Sequence, residues 1–175
     1  MGKKMRTRTA QWFECRVRYD KQMEDGKQKK VTELYVVDAL GFGEAEKRIT
    51  KEMGKYISGE FEVKTITPAP YGEIFFSSAD NDDKYYKAKL AFITIDEKTE
   101  NEKRTAVTYL CQASSAEEAQ KNVKEVMDGT AIDYEITAII ETKILDVFEY
   151  NADASGNADN SGRGNGKAKP IDDFE

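Results

Sequence analysis

Two stretches of strict alternation organise the chain. From Trp12 to Tyr19, the residues Phe13, Cys15, Val17 and Tyr19 fall on one side of an extended backbone and Trp12, Glu14, Arg16 and Arg18 on the other, because successive side chains of a strand point to opposite faces. From Tyr85 to Phe92 the pattern returns: Tyr86, Ala88, Leu90 and Phe92 form an inward face, with Tyr85, Lys87 and Lys89 opposite. An outward ring followed by outward positive charge thus occurs twice.

Each run predicts a first strand, about 11–20 and about 84–95, joined by a charged loop to a second, about 31–38 and about 104–112, in the manner of a long hairpin. The period then becomes helical. Ala45, Ile49 and Met53 recur in the first half, and Ala119, Val123, Val126 and Met127 in the second. Ser114 and Ser115 are candidate caps, and Gly54 and Gly129 stand where the helices should stop. Two closing strands follow in each half, about 60–67 and 72–76, then about 133–140 and 144–149, with Pro68 and Pro70 marking the first turn between them.

Sliding the sequence against itself gives one offset of 73 to 74 residues that aligns all of these elements. The expected fold is therefore α+β, a tandem duplication of a strand-strand-helix-strand-strand unit. It forms one pseudo-symmetric domain of antiparallel sheet with helices on one face, leaving the other face for solvent, the second copy or a ligand. The expected boundaries are a basic N-terminal arm at 1–10, a first repeat at 11–76, a connector at 77–83, a second repeat at 84–150 and a tail at 151–175. Rich in Gly, Asn, Ala, Asp and Ser, the tail has a composition that does not bury enough apolar surface to offset ordering. Its tip, Ile171, Asp172, Asp173, Phe174 and Glu175, has the character of a docking peptide.

Composition narrows the chemistry. With 39% apolar and 34% charged residues, and no run of about 20 apolar residues, the 175-residue chain reads as water-soluble and cytoplasmic by default. Histidine is absent, which removes the commonest general base and transition-metal ligand. Cys15 and Cys111, the two cysteines, read as small buried hydrophobes. The net charge of −6 hides a basic front: through residue 30 there are Lys3, Lys4, Arg6, Arg8, Arg16, Arg18, Lys21, Lys27, Lys29 and Lys30 against Glu14, Asp20, Glu24 and Asp25.

The row Trp12, Arg16, Arg18, Tyr85, Lys87 and Lys89 offers stacking platforms flanked by cations, which suits single-stranded nucleic acid. The plainer alternative packs both rings between the copies and leaves the cations solvated, and Glu14 counts against the nucleic-acid reading. Lys3, Lys4, Arg6 and Arg8 form a second candidate for phosphate contact, or simply a solvated arm. The recurring acids Glu44 and Glu118, Glu62 and Glu135, and Glu73 and Asp146 lie one per element, better suited to exposed faces than to a metal or acid-base site. The run GFGEAE lacks the third glycine of a dinucleotide loop. No catalytic residue, metal site or cofactor is expected, and an enzyme is disfavoured.

The run WFECRVRYDKQMEDGKQKKVTELYVVDAL, with ISGEFEV, TAVTYL and DYEITAIIETKILDVFEY, resembles an uncharacterised domain-of-unknown-function family of gut anaerobes and their phages, over about residues 11–150. Some phage members sit among replication genes and are regarded as single-strand binders, so the resemblance implies that role. Separately, Asp172, Asp173 and Phe174 behind a Gly-rich stretch resemble the acidic tail of bacterial single-stranded DNA-binding proteins, from which the final Glu175 departs. The body does not resemble their barrel.

The expected function is thus sequence-tolerant binding of single-stranded DNA in replication or recombination. The tail tip would recruit replication or recombination proteins, with no membrane partner and with room for a homo-oligomer. The alternative is a protein-binding adaptor or phage-encoded inhibitor of a host or defence protein, with Trp12 as its anchor.

Overall fold

The computed structural model describes residues 2–150. The chain runs β1 (Met5–Thr9), β2 (Trp12–Gln22), β3 (Gln28–Asp38), α1 (Phe42–Met53), β4 (Phe61–Pro68), β5 (Glu73–Ser77), β6 (Lys84–Ile95), β7 (Glu102–Ala113), α2 (Ala116–Met127), β8 (Tyr134–Glu141) and β9 (Ile144–Phe148). The class is α+β: two sheets in which antiparallel pairs predominate, and two helices. The acidic tip, Ile171 to Glu175, and the rest of the expected tail lie outside the described residues.

Two long hairpins are the cores of the sheets. Strands β2 and β3 pair antiparallel from Trp12↔Asp38 to Gln22↔Gln28, and β6 and β7 from Lys84↔Ala113 to Ile95↔Glu102. Their tips need left-handed backbone, supplied by Gly26 at φ 85° in one and by Glu100 at φ 61° in the other. In the second tip the Asp96 carboxylate accepts from the Lys98 amide at 2.8 Å, an Asx turn that holds the non-glycine residue in place.

The sheets are ordered β4-β2-β3-β9 and β8-β6-β7-β5-β1. Strands β4 and β8 sit beside the first strand of their hairpins, each with a bulge, opposite Arg16/Val17 and Lys89/Leu90. The closing strands depart from expectation. Instead of lying beside β4, β5 pairs parallel with β7, and β9 pairs parallel with β3. Burial explains β5: Ile74, Phe75 and Phe76 are all buried, so the strand is apolar on both faces and requires a place inside a sheet, here between β7 and β1.

The chain divides into two compact units, one of the residues up to Ala10 with Pro70–Lys143, the other of Gln11–Ala69 with the segment from Ile144. These follow the sheets and cut across the boundaries expected from the offset. In the unit built on β2, the inward residues Phe13, Cys15 and Val17 pack with Val37, Ala45, Ile49 and Met53 of the facing strand and helix. In the other, Ala88, Leu90 and Cys111 pack with Phe75, Val123 and Met127. Fully burying each large aliphatic side chain contributes about 1.5–3 kcal/mol. Ser115 caps α2, its hydroxyl accepting from the Glu118 amide at 3.1 Å, as its position before the apolar stripe suggests.

The N-terminal arm is corrected. The expectation is a basic arm, for phosphate contact or simply solvated, yet Met5–Thr9 form a strand on β5, from Met5↔Ser77 to Thr9↔Glu73. Alternation then sends Arg6 and Arg8 to one face and Met5 toward the core around Phe75 and Leu90. Between β5 and β6 the short polar connector carries one buried acid, Asp82.

Candidate nucleic-acid interface

The face of each sheet away from its helix holds the residues singled out by alternation. On β2 that face carries Trp12, Glu14, Arg16 and Arg18, and on β6 it carries Tyr85, Lys87 and Lys89. The structure splits each row in two. Trp12 is 2% exposed and Tyr85 5% exposed, so neither ring is a platform for a base. Their neighbours on the same faces, Val36, Ile74 and Leu110, are fully buried. The stacking role of Trp12 and Tyr85, and with it Trp12 as an anchor for a protein partner, is therefore withdrawn. Both rings head their strands at the end where both faces are buried, Glu14 included, and alternation alone does not reveal a face closed from water.

The cations differ. Arg16 and Arg18 are exposed, stand two residues apart on the helix-free face, and make no hydrogen bond or ion pair among the described residues. Arg16 faces Leu34 and Thr65 across the strands, and Arg18 faces Thr32 and Glu62. Beyond them the hairpin continues with exposed Lys27, Lys29 and Lys30, the last paired with Asp20 at 3.2 Å. On the opposite face of the same hairpin, Glu33 accepts from Tyr19 and Tyr35 and meets Lys21 at 3.5 Å, so those two phenols are engaged. Burial, then the hydrogen bond to Glu33, push the Tyr35 phenol up.

On β6, Lys89 is exposed and Lys87 half-buried. The place matching Arg18 is taken by buried Ala91, so the cationic row is shorter in this sheet. The arm residues are not a phosphate-binding group either. Lys3 Nζ lies 2.9 Å from both Asp82 and Glu118, Arg6 stacks over the Phe76 ring at 4.3 Å, and Arg8 is buried, which leaves only the Lys4 side chain exposed. Asp82 also accepts from Ser77 at 2.5 Å. Burial opposes its ionisation, but the hydrogen bonds from Ser77 and Lys3 more than offset this and hold the carboxyl below its ordinary value.

Sequence reasoning missed the buried charge at α1. Arg48 donates to the Asp38 carbonyl at 2.6 Å and to Glu44 at 2.8 Å, and its guanidinium lies 5.2 Å from the centre of the Tyr150 ring. The Tyr150 hydroxyl donates to Glu52 and its amide to Asp38 at 2.8 Å. Burial and then the Glu52 hydrogen bond raise the Tyr150 phenol. The available signal was positional: Arg48 lies three residues after Ala45, next to Ile49, inside the apolar stripe.

The remaining chemistry is sparse. Burial pushes the thiols of Cys15 and Cys111 up to about 12, so neither is ionised near neutrality. Among the described residues, no group of three or more Cys, Asp or Glu is placed to hold a metal ion, and no helix is long and apolar enough to cross a membrane.

Fold and face together define an α+β protein of two hairpin-based sheets, one bearing an exposed arginine pair. Residues 11–150 match the family described as Domain of unknown function (DUF4494), and the chain belongs to that family. No curated protein and no solved structure matches it.

Proposed function

We propose that this is a non-enzymatic, sequence-tolerant single-stranded DNA-binding protein of a bacterial replication or recombination system, one that grips phosphates without stacking bases on Trp12 or Tyr85. The observation that carries the reading is the exposed pair Arg16 and Arg18, free of ion pairs among the described residues on a face that no helix covers. Lys27 adds charge at the hairpin tip, and Lys89 repeats the exposed cation on β6. Backbone charge supplies affinity without sequence information. Single strands suit the site because a flexible strand can follow a twisted sheet surface, which duplex DNA, with a persistence length of about 150 base pairs, resists. The acidic terminal sequence Ile171 to Glu175 is the segment assigned to recruiting a replication or recombination protein.

Gene duplication is part of the same proposal. Its support is the matched strand order, the two helices of 12 residues, and bulges at Lys64 and Thr137, 73 residues apart, the positions that the register with the neighbouring strand skips.

Fluorescence anisotropy of a labelled oligonucleotide tests the reading. Arg16→Glu with Arg18→Glu should weaken single-strand binding by about tenfold or more at low salt, while Trp12→Phe should leave it within about twofold. Absence of binding, or equal affinity in the charge-reversed variant, contradicts the proposal.

A second reading as a protein-binding adaptor is favoured by Leu40, 80% exposed, and Phe42, 54% exposed, at the entry to α1. A stoichiometric partner retained from nuclease-treated lysate, and lost with Leu40→Ala and Phe42→Ala, would support it.

A further inference from the structure

Strands β4 and β8 occupy the same place in their sheets, at a free edge beside the first hairpin strand, and they are finished differently. The β4 sequence FEVKTITP puts Lys64 at its bulge and ends on Pro68. The Ala69 amide donates inward to the Trp12 carbonyl at 2.9 Å, so alternation turns position 68 outward, where proline offers no N–H. A cation and a proline are common means of blunting an edge. The β8 sequence YEITAIIE has neither: Thr137 stands at the bulge and Glu141 at the end, and Ile140 is 45% exposed. Because the Thr142 amide donates inward to Tyr85 at 3.0 Å, the N–H groups of Ile139 and Glu141 point to the open edge.

We propose that this edge pairs with β8 of a second copy of the chain, antiparallel about a two-fold axis between Thr137 and Ala138. In that register Ile136 faces the partner's Ile139, Glu135 faces the partner's Ile140, and Tyr134 faces the partner's Glu141. Three features select this occupant. No glutamate meets a glutamate, whereas parallel pairing would stack Glu135 on Glu135 and Glu141 on Glu141. The bulge shifts the side-chain alternation by one, so Ile136 and Ile139 lie on the same face and pair face to face across the axis. Both Ile136 and Ile139 also pack against the core beneath the sheet, which holds the edge rigid for pairing. The same operation on β4 would bring two Lys64 side chains together at the axis and face Phe61 with a proline. Pairing is isologous and closes at two copies, and it is independent of the phosphate-binding reading.

Cross-linking of the full chain tests it. In Glu135→Cys with Ile140→Cys, the two new thiols sit too far apart along one strand to join each other, but each faces its counterpart in the second copy. Oxidation should give a covalent dimer, and Glu62→Cys with Thr67→Cys on β4 should not. The native cysteines are buried and do not contribute. By sedimentation, the wild-type chain should dimerise, and Thr137→Lys, which copies β4, should weaken association at least tenfold while the circular dichroism spectrum of the folded chain stays unchanged. A wild-type chain that sediments as a monomer at every concentration, or equal cross-linking through β4 and β8, overturns the proposal.

Discussion

Arg48 and Asn122 are the seventh residues of two 12-residue helices, and each reaches the backbone of a matched strand position, the Asp38 carbonyl at 2.6 Å and the Gln112 carbonyl at 2.9 Å. One position therefore does the same job in both sheets, fastening the helix to the end of the hairpin, with different chemistry. In the β2 sheet the fastening is a buried charge, which brings Glu44, Asp38 and Tyr150 with it. In the β6 sheet it is a neutral amide that also bonds the buried carboxylate of Asp82, whose countercharge comes from Lys3, shared with Glu118. The shared elements account for the fold. What differs between the sheets is the charge on the helix-free face, the exposed arginine pair Arg16 and Arg18 against Lys89 and Ala91.

The comparison can be broken most strongly at its fastening point. Arg48→Ala leaves Asp38 and Glu44 without their buried partner and should cost about 3–5 kcal/mol. Asn122→Ala removes hydrogen bonds to the Gln112 carbonyl and to the Asp82 carboxylate and should cost about 1.5–3 kcal/mol. Urea unfolding followed by Trp12 emission checks the first, and circular dichroism over the whole chain checks both. Equal losses would show that buried charge sets nothing apart.

Next comes Tyr150→Phe, which removes the hydroxyl donated to Glu52 and should cost about 1–2 kcal/mol. The same variant tests pH dependence. The raised Tyr150 phenol contributes stability that is whole below its ordinary value of 10 and is lost as pH rises through its folded value. Alkaline unfolding of the variant should therefore begin later than that of the wild type, relative to each one's neutral stability.

A smaller effect belongs to the β6 sheet. Asp82, held below its ordinary 3.8, contributes stability present above that value and lost as pH falls through its folded value. Lys3, raised above 10.5 by Asp82 and Glu118 against the opposing effect of burial, contributes below 10.5 and loses that contribution as pH rises. Asp82→Asn should flatten the acid limb of a denaturation profile and leave the neutral region nearly level. An unchanged acid limb would place the acid sensitivity elsewhere.

Much of the fold was legible because two periods dominate the chain. The alternation of Phe13, Cys15 and Val17 and the helical stripe of Ala45, Ile49 and Met53 predict their elements within a few residues. The strand Met5–Thr9 was not legible, since MRTRT carries one apolar residue and is held by pairing with β5 rather than by a buried face. Nor was the pairing of β5 and β9, because strand partners far apart in sequence leave no local pattern. At the candidate site, alternation correctly put Trp12, Arg16 and Arg18 on one face but did not reveal that water reaches only its arginine end.

The salt dependence of single-strand affinity, followed by anisotropy from low to high salt, tests the central claim most directly. A phosphate grip through Arg16 and Arg18 predicts a steep loss of affinity with salt, and neutralising both to Gln should reduce the logarithmic slope by about 1.4, at roughly 0.7 per phosphate contact on a single strand. An affinity indifferent to salt, or a slope unchanged in the variant, would contradict it.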